Sequence, residues 1–149
     1  DDLLNEFGSR IVLPVDVVIS DRFANDAKVQ VVAAGEIPKG WMGLDIGPDS
    51  ISRFSRELSE ARTIIWNGPL GVFELFRFGE GTSAIARAVS GMTGQATTII
   101  GGGDTLSAVE KAGLSGKFTH SSTGGGAMLE VLEGKTLPGV AALLGTSHD

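Results

Sequence analysis

Three short apolar runs in this chain are each followed at once by glycine-rich residues and then by helix-forming residues. Continuous apolar strands that alternate with helices are typical of a parallel sheet with helices on both faces. Two of the runs, at Thr63 and Thr98, begin 35 residues apart, a reasonable length for one strand–helix unit. We therefore predict an α/β fold with a Rossmann-like parallel sheet and flanking helices. The glycine-rich segments are residues 67–71, 101–103 and 124–126.

Hydrophobic periodicity assigns the remaining elements. A helix from about residue 50 to 61, capped by Asp49 or Ser50, places its apolar residues on one face. No linker interrupts the pattern, which indicates a single domain over residues 1–149, and the tail 145–149 is expected to be irregular. Strands are predicted at 10–14, 16–20, 28–33, 40–48, 63–66, 97–100 and 118–120, helices at 82–90, 105–112 and 127–132, and a closing segment at 137–144.

Composition excludes several classes of protein. Lys and Arg number 12 against 18 Asp and Glu, and this net charge of −6 argues against a nucleic-acid partner. The chain has no cysteine and two histidines, so neither a thiolate nor a histidine-rich metal site is expected. No run approaches about 18 apolar residues, and the N-terminus lacks a signal-peptide pattern, so we expect no membrane partner and an intracellular location.

The glycine-rich segments are suited to binding phosphate. In a parallel sheet they meet at the carboxyl edge, where helix N-termini offer unpaired N–H groups and glycine lets an anion approach. Asp104 could cap its helix or hold Mg²⁺. Thr105 and Thr123 could donate to phosphate, although Thr123 could equally be a helix N-cap. Glu74 could bind sugar hydroxyls or be a solvated surface charge.

Four longer strings, taken together, resemble the phosphoglycerate kinase family. Their order and spacing also fit, and the resemblance continues through residues 130–140 and covers nearly the whole chain. A set of this length is far more specific than a single glycine triplet. The strings are GWMGLDIGPDS at residues 40–50, IWNGPLGVFE at 65–74, TIIGGGDT at 98–105 and STGGGA at 122–127.

The resemblance implies a kinase that reversibly transfers phosphate between 1,3-bisphosphoglycerate and MgADP, giving 3-phosphoglycerate and MgATP. It implies the later part of the C-terminal nucleotide-binding domain, and therefore an incomplete three-layer α/β/α domain. Mg²⁺ and ATP or ADP are the implied cofactor and substrate. For the nucleoside, the resemblance implies an adenine pocket at Gly43 and Leu44, a nucleotide border at Asn67, Pro69 and Val72, and a ribose contact at Glu74. For the phosphates, it implies Mg²⁺ coordination by Asp104 and phosphate contact by Thr105. The residues implied to bind the phosphoryl group are Gly102, Gly103, Thr123, Gly124, Gly125 and Gly126.

The same resemblance implies missing partners. The N-terminal triose-binding domain, through which 3-phosphoglycerate would bind, and the early strands of the nucleotide domain are absent. We expect the isolated chain to be inactive and to act with the remaining part of the kinase, in the cytoplasm or the plastid stroma. The alternative is a non-catalytic nucleotide-binding or folding fragment.

Overall fold

The computed structural model describes residues 2–144, which contain six strands and six helices. The predicted irregular tail, residues 145–149, lies outside the described residues. The strands are β1 (Asp16–Ser20), β2 (Val29–Ala33), β3 (Met42–Ile46), β4 (Thr63–Asn67), β5 (Thr97–Gly101) and β6 (His120–Ser122). The helices are α1 (Asp2–Phe7), α2 (Pro48–Ser59), α3 (Glu80–Gly91), α4 (Gly103–Lys111), α5 (Gly125–Leu132) and α6 (Pro138–Leu144).

The second half of the chain forms the predicted parallel sheet. Its order is β4-β5-β6, and both strand pairs are parallel, with helices α3 and α4 following β4 and β5 in the chain. The main core lies against this sheet, where apolar residues from β3 to β5 meet those of α3 and α4. The α/β prediction is therefore confirmed for this half. The core residues are Ile46, Ile64, Trp66, Ile85, Ala86, Val89, Ile100, Val109 and Phe118.

One face of β4 is left open. Ile64 and Trp66 are buried, whereas Ile65 between them is 40% exposed. The expectation of a strand buried on both faces is wrong at this position, because the face of β4 that carries Ile65 is only partly covered within the described residues. β4 is also an edge strand of its sheet. The three-layer arrangement is thus incomplete at this edge.

The first three strands form a separate antiparallel sheet in the order β2-β1-β3. The pairing of β1 with β3 shifts register between Val18 and Ile19, as at a β-bulge. These strands were predicted from the sequence, but their antiparallel direction and their separate sheet were not. Direction is decided by which strands meet in space, and short apolar runs carry no signal for it.

Two strand predictions fail, each for a different reason. Residues 10–14 are not a strand, because Pro14 lacks an N–H group and no strand lies beside this segment. The third parallel strand was predicted to begin at Phe118, but it begins two residues later, at His120. The N–H group of Thr119 donates to the Thr98 hydroxyl at 3.0 Å instead of to a strand carbonyl. Regular pairing between β5 and β6 therefore starts at the next residue, His120.

The N-terminus of α2 is capped from another strand. Gly47 occupies the N-cap position and offers no side chain, so the prediction of capping by Asp49 or Ser50 is wrong. The carboxylate of Asp16, on β1, accepts hydrogen bonds from the N–H groups of Asp49 at 3.1 Å and Ser50 at 2.7 Å. The Ser50 hydroxyl donates to the same carboxylate at 2.6 Å. This contact joins α2 to the antiparallel sheet.

Candidate functional site

The three glycine-rich segments emerge together at one edge of the parallel sheet. Asn67 at the end of β4 pairs with Gly101 at the end of β5, which pairs with Ser122 at the end of β6. The residues that follow each strand therefore start level with one another. This register brings together the glycine-rich segments, as the sequence analysis predicted for a common carboxyl edge.

Gly102 and Gly125 touch each other, and the packing explains why both are glycine. A Cβ atom on Gly125 would lie 2.8 Å from the Cα of Gly102 and 2.7 Å from Oδ1 of Asn67. Gly102 also has a φ of +93°, which side chains disfavour. These two glycines bring the starts of α4 and α5 together, and Asn67 lies between them.

Gly103, Gly124 and Gly126 are different, because the fold leaves room beside them. A Cβ atom on Gly103 or Gly126 would meet nothing within 4 Å, and on Gly124 it would make only ordinary contacts at 3.7 and 3.8 Å. None of the three has a positive φ. Close packing therefore does not account for these glycines, which leave the backbone open at the starts of two helices.

The helices α4 and α5 both begin at this edge without a side-chain cap. Their N-cap residues are Gly102 and Gly124, and no side chain hydrogen-bonds either first turn as a cap. Helix N-termini carry free N–H groups and a partial positive charge, both of which favour an anion. The arrangement is suited to holding phosphate between the two helix starts.

Asp104 lies in the first turn of α4 and is exposed. The structure shows no capping bond at this helix start, so the capping alternative for Asp104 finds no support. Among residues 2–144 no group of three acidic or histidine side chains forms a metal cage. Mg²⁺ is commonly held by one or two carboxylates together with substrate phosphates and water, and a single exposed carboxylate beside two open helix starts fits that chemistry.

The two predicted threonines differ in position. Thr105 is fully buried, and its Oγ1 accepts a hydrogen bond at 2.7 Å from the N–H group of Gly68, which ties α4 to the segment after β4. Thr123 is exposed. It does not cap α5, because Gly124 occupies the N-cap position, so that alternative is wrong.

Four of the predicted nucleotide residues line one cleft of about 350 Å³. Gly43 and Leu44, on β3, form one side of this nucleotide cleft, and Pro69 and Val72, after β4, form the other. The N–H group of Val72 donates to the carbonyl oxygen of Leu44 at 2.8 Å, which joins the two sides. The structure thus brings together residues 25 or more apart in the sequence.

The remaining predicted residues do not line this cleft. Asn67 lies instead at the glycine junction, the place where Gly102 and Gly125 touch, and Glu74 is exposed beyond the cleft wall. Residues 67–72 run from the glycine junction to the cleft, so one continuous segment connects the two halves of the predicted site.

Asp45 is a buried carboxylate that lines the cleft, and the sequence-based predictions did not include it. One oxygen accepts a hydrogen bond from the N–H group of Ile46 and the other from that of Gly81, both at 2.8 Å. Burial raises the pKa of Asp45 to about 6, and the charge of Glu80 adds to this, although both backbone bonds favour the ionised form. An aspartate within an apolar strand was the signal that could have identified it.

Comparison with known proteins settles the family. The sequence profile of the family described as phosphoglycerate kinase matches residues 2–135. The chain belongs to the phosphoglycerate kinase family. It is 59% identical over 139 residues to the phosphoglycerate kinase of Synechococcus elongatus, covering 93% of this chain and 35% of that protein. It is 59% identical over 137 residues to the cytosolic phosphoglycerate kinase of Triticum aestivum, covering 91% of this chain and 34% of that protein.

Solved phosphoglycerate kinase structures share the fold. The enzyme from Coxiella burnetii superposes with a TM-score of 0.82 at 41% identity, over 90% of this chain and 34% of that chain. The enzyme from Pyrococcus horikoshii OT3 gives a TM-score of 0.81 at 32% identity, over 96% and 35% of the two chains. The chain thus spans about a third of the length of the phosphoglycerate kinases it matches. In the described part, no helix is long and apolar enough to cross a bilayer.

Proposed function

We propose that this chain supplies the Mg-nucleotide site of a phosphoglycerate kinase. The reaction is reversible phosphoryl transfer between 1,3-bisphosphoglycerate and ADP, which gives 3-phosphoglycerate and ATP. The observation that carries the proposal is the pair of uncapped helix starts at which Gly103, Gly124 and Gly126 leave the backbone open without a packing reason. Membership of the family supports the reaction.

The nucleotide cleft accounts for binding of the base and sugar. Gly43, Leu44, Pro69 and Val72 line a cleft of about 350 Å³ that would take adenine. Glu74, exposed after the cleft wall, would accept hydrogen bonds from the ribose hydroxyls. The diphosphate would then extend along the segment that begins at Asn67, towards the two helix starts.

At the glycine junction the protein contributes position and charge. The N–H groups of Gly102 and Gly124 already donate to the carbonyl oxygen and the hydroxyl of Ser122, at 3.0 and 3.2 Å, so these two glycines would shape the site. The N–H groups of Gly103, Gly125 and Gly126, with the Thr123 hydroxyl, would hold the phosphoryl group during transfer. Such preorganised donors stabilise charge that is spread over phosphoryl oxygens in the transition state. Asp104 would hold Mg²⁺, which neutralises phosphate charge when it is bound. Thr105 is fully buried, so it would act on the phosphates indirectly, by holding the segment after β4 through its bond to Gly68.

The rest of the reaction needs a partner. No Lys or Arg lies within the glycine-rich segments, and the chain spans about a third of its relatives. We therefore propose that 3-phosphoglycerate binds through the remaining part of the kinase and that this chain alone does not turn it over. A cytosolic relative supports a cytoplasmic location, with the plastid stroma as the alternative.

Calorimetric titration of the folded chain with MgADP tests the nucleotide site, and Gly103→Ala and Gly126→Ala sharpen it. A methyl group at either position blocks an approaching anion but contacts nothing in the protein. We expect weaker MgADP binding together with slightly higher stability, by about 0.4–1 kcal/mol, because alanine restricts the unfolded chain. Gly91→Ala, at the far end of α3 and equally open, is the matched control and should leave binding unchanged.

The second candidate is a folding fragment that binds no nucleotide. The structural need for glycine at Gly102 and Gly125 favours it, because close packing alone explains those two residues. Unchanged MgADP affinity in both alanine variants, or no saturable binding by folded wild-type chain, would support this candidate and contradict the nucleotide site.

A further inference from the structure

One wall of the nucleotide cleft is held by a side chain that does not line it. Thr82, in the first turn of α3, is 1% exposed. Its Oγ1 accepts hydrogen bonds from the N–H groups of Leu70 at 3.0 Å and Gly71 at 3.2 Å. Both of these residues lie in the cleft wall, whereas Thr82 faces a separate pocket beside Phe73 on the other side.

The next contacts connect this wall to β3. The N–H group of Val72 donates to the carbonyl oxygen of Leu44, and the carboxylate of Asp45 fills the space where Gly71 would carry a Cβ atom. Three successive N–H groups, those of residues 70–72, therefore have fixed acceptors. Two of the three depend on the single hydroxyl of Thr82.

We propose that Thr82 is a positioning residue for the nucleotide, because its hydroxyl fixes the wall at residues 69–72 against β3 and so sets the width of the cleft. The inference rests on the proposed nucleotide site. It assigns Thr82 no contact with the nucleotide. Loss of the hydroxyl leaves two partly buried N–H groups without their acceptor, and the wall must move towards water to satisfy them.

Thr82→Val removes the hydroxyl at nearly constant volume. We expect MgADP to bind the valine variant about tenfold more weakly, the equivalent of one unmade hydrogen bond. Thr82→Ser keeps the hydroxyl and should restore affinity close to that of the wild type. The matched control is Thr98→Val, since Thr98 is also fully buried and its hydroxyl also accepts a backbone hydrogen bond, from Thr119 at 3.0 Å, away from the cleft.

Two measurements on the full chain decide the proposal. Calorimetry gives the MgADP affinity of each variant, and amide hydrogen exchange followed by NMR reports on the Leu70 and Gly71 N–H groups. We expect Thr82→Val to speed exchange at these two amides beyond its effect on global stability, and Thr98→Val not to do so.

The outcomes separate this inference from the function on which it rests. Equal losses of MgADP affinity in Thr82→Val and Thr98→Val would mean that Thr82 is only structural and would overturn the inference. Unchanged exchange at Leu70 and Gly71 in Thr82→Val would overturn it as well, whether or not nucleotide binds. Absence of MgADP binding by the folded wild-type chain would instead contradict the proposed nucleotide site.

Discussion

Asp16 and Asp45 are both buried aspartates that accept backbone N–H groups, yet their pKa values move in opposite directions. At Asp16 burial favours the neutral form, but the Ser50 hydroxyl and the N–H groups of Ser50 and Asp49 outweigh it, so the pKa lies below 3.8. At Asp45 burial outweighs its two N–H groups and raises the pKa from 3.8 to about 6. Burial weighs more heavily at Asp45 and the charge of Glu80 adds to it, whereas Asp16 has an additional hydroxyl donor.

The pKa of Asp45 predicts a pH-dependent stability. Between about pH 4 and pH 6 the folded chain holds a proton on Asp45 that the unfolded chain has released, so stability falls as pH rises through this range. The contribution is up to about 3 kcal/mol, since each unit of pKa corresponds to about 1.4 kcal/mol. Urea unfolding of wild type and Asp45→Asn at several pH values measures the difference.

In that experiment the unfolding free energy of wild type should fall relative to that of Asp45→Asn as pH rises from 4 to 6, because asparagine does not titrate. Asp16, whose pKa is lowered, acts in the opposite sense and only in the acid range, where its contribution is lost as pH falls below about 4. Parallel pH profiles for wild type and Asp45→Asn would show that Asp45 ionises normally in the folded chain.

At the scale of the element, helix α2 depends on a cap from another strand. Asp16→Ala removes the acceptor for two N–H groups and for the Ser50 hydroxyl. We expect a loss of about 2–3 kcal/mol in unfolding free energy, combining a lost cap with buried donors left unpaired. Asp49→Ala is the control, because Asp49 is exposed and acts only through the helix dipole.

Asp49→Ala should therefore cost no more than about 0.3–1 kcal/mol by the same urea measurement. If Asp49→Ala were as destabilising as Asp16→Ala, the helix would be capped locally, as the sequence alone suggested. The ratio of the two losses thus distinguishes a cap within the element from a cap that ties the element to the antiparallel sheet.

For the whole molecule, the open edge at β4 is the main departure from a closed domain. An apolar cleft of about 280 Å³ lies beside this edge, lined in part by Phe54, Leu58 and Ile65. The chain spans about a third of the length of its relatives. An uncovered, apolar edge strand favours association between copies of the isolated chain.

We expect the isolated chain to self-associate as its concentration rises, and Ile65→Lys to reduce this association. A lysine at a half-exposed edge position hinders strand pairing by its charge and costs little stability. Sedimentation velocity at increasing concentration measures the effect. Val31→Lys, on the outer strand β2 of the other sheet, is the control, and an equal effect of both lysines would mean that β4 is not the associating edge.

The sequence was sufficient to predict the secondary structure wherever a local pattern of residues decides it. Strands β1, β2, β4 and β5 and helices α2 and α3 lie within a few residues of their predicted bounds, because apolar periodicity and glycine positions carry that information. It was also sufficient to bring Gly43, Leu44, Pro69 and Val72 into one proposed nucleotide region, through the family resemblance. It was insufficient at β6, where the Thr98–Thr119 bonds, which join distant residues, set the strand start.

By itself the sequence determined the α/β class, the carboxyl-edge position of the glycine-rich segments and the family to which the chain belongs. Only the tertiary structure decided that the first sheet is antiparallel and that Asp16 caps α2. The tertiary structure alone also showed that close packing requires glycine at Gly102 and Gly125 but not at Gly103 and Gly126. The physical reason is distance along the chain. The bonds that join Asp16 to Ser50, Asp45 to Gly81 and Thr105 to Gly68 span 34, 36 and 37 residues, and no local pattern encodes such pairs.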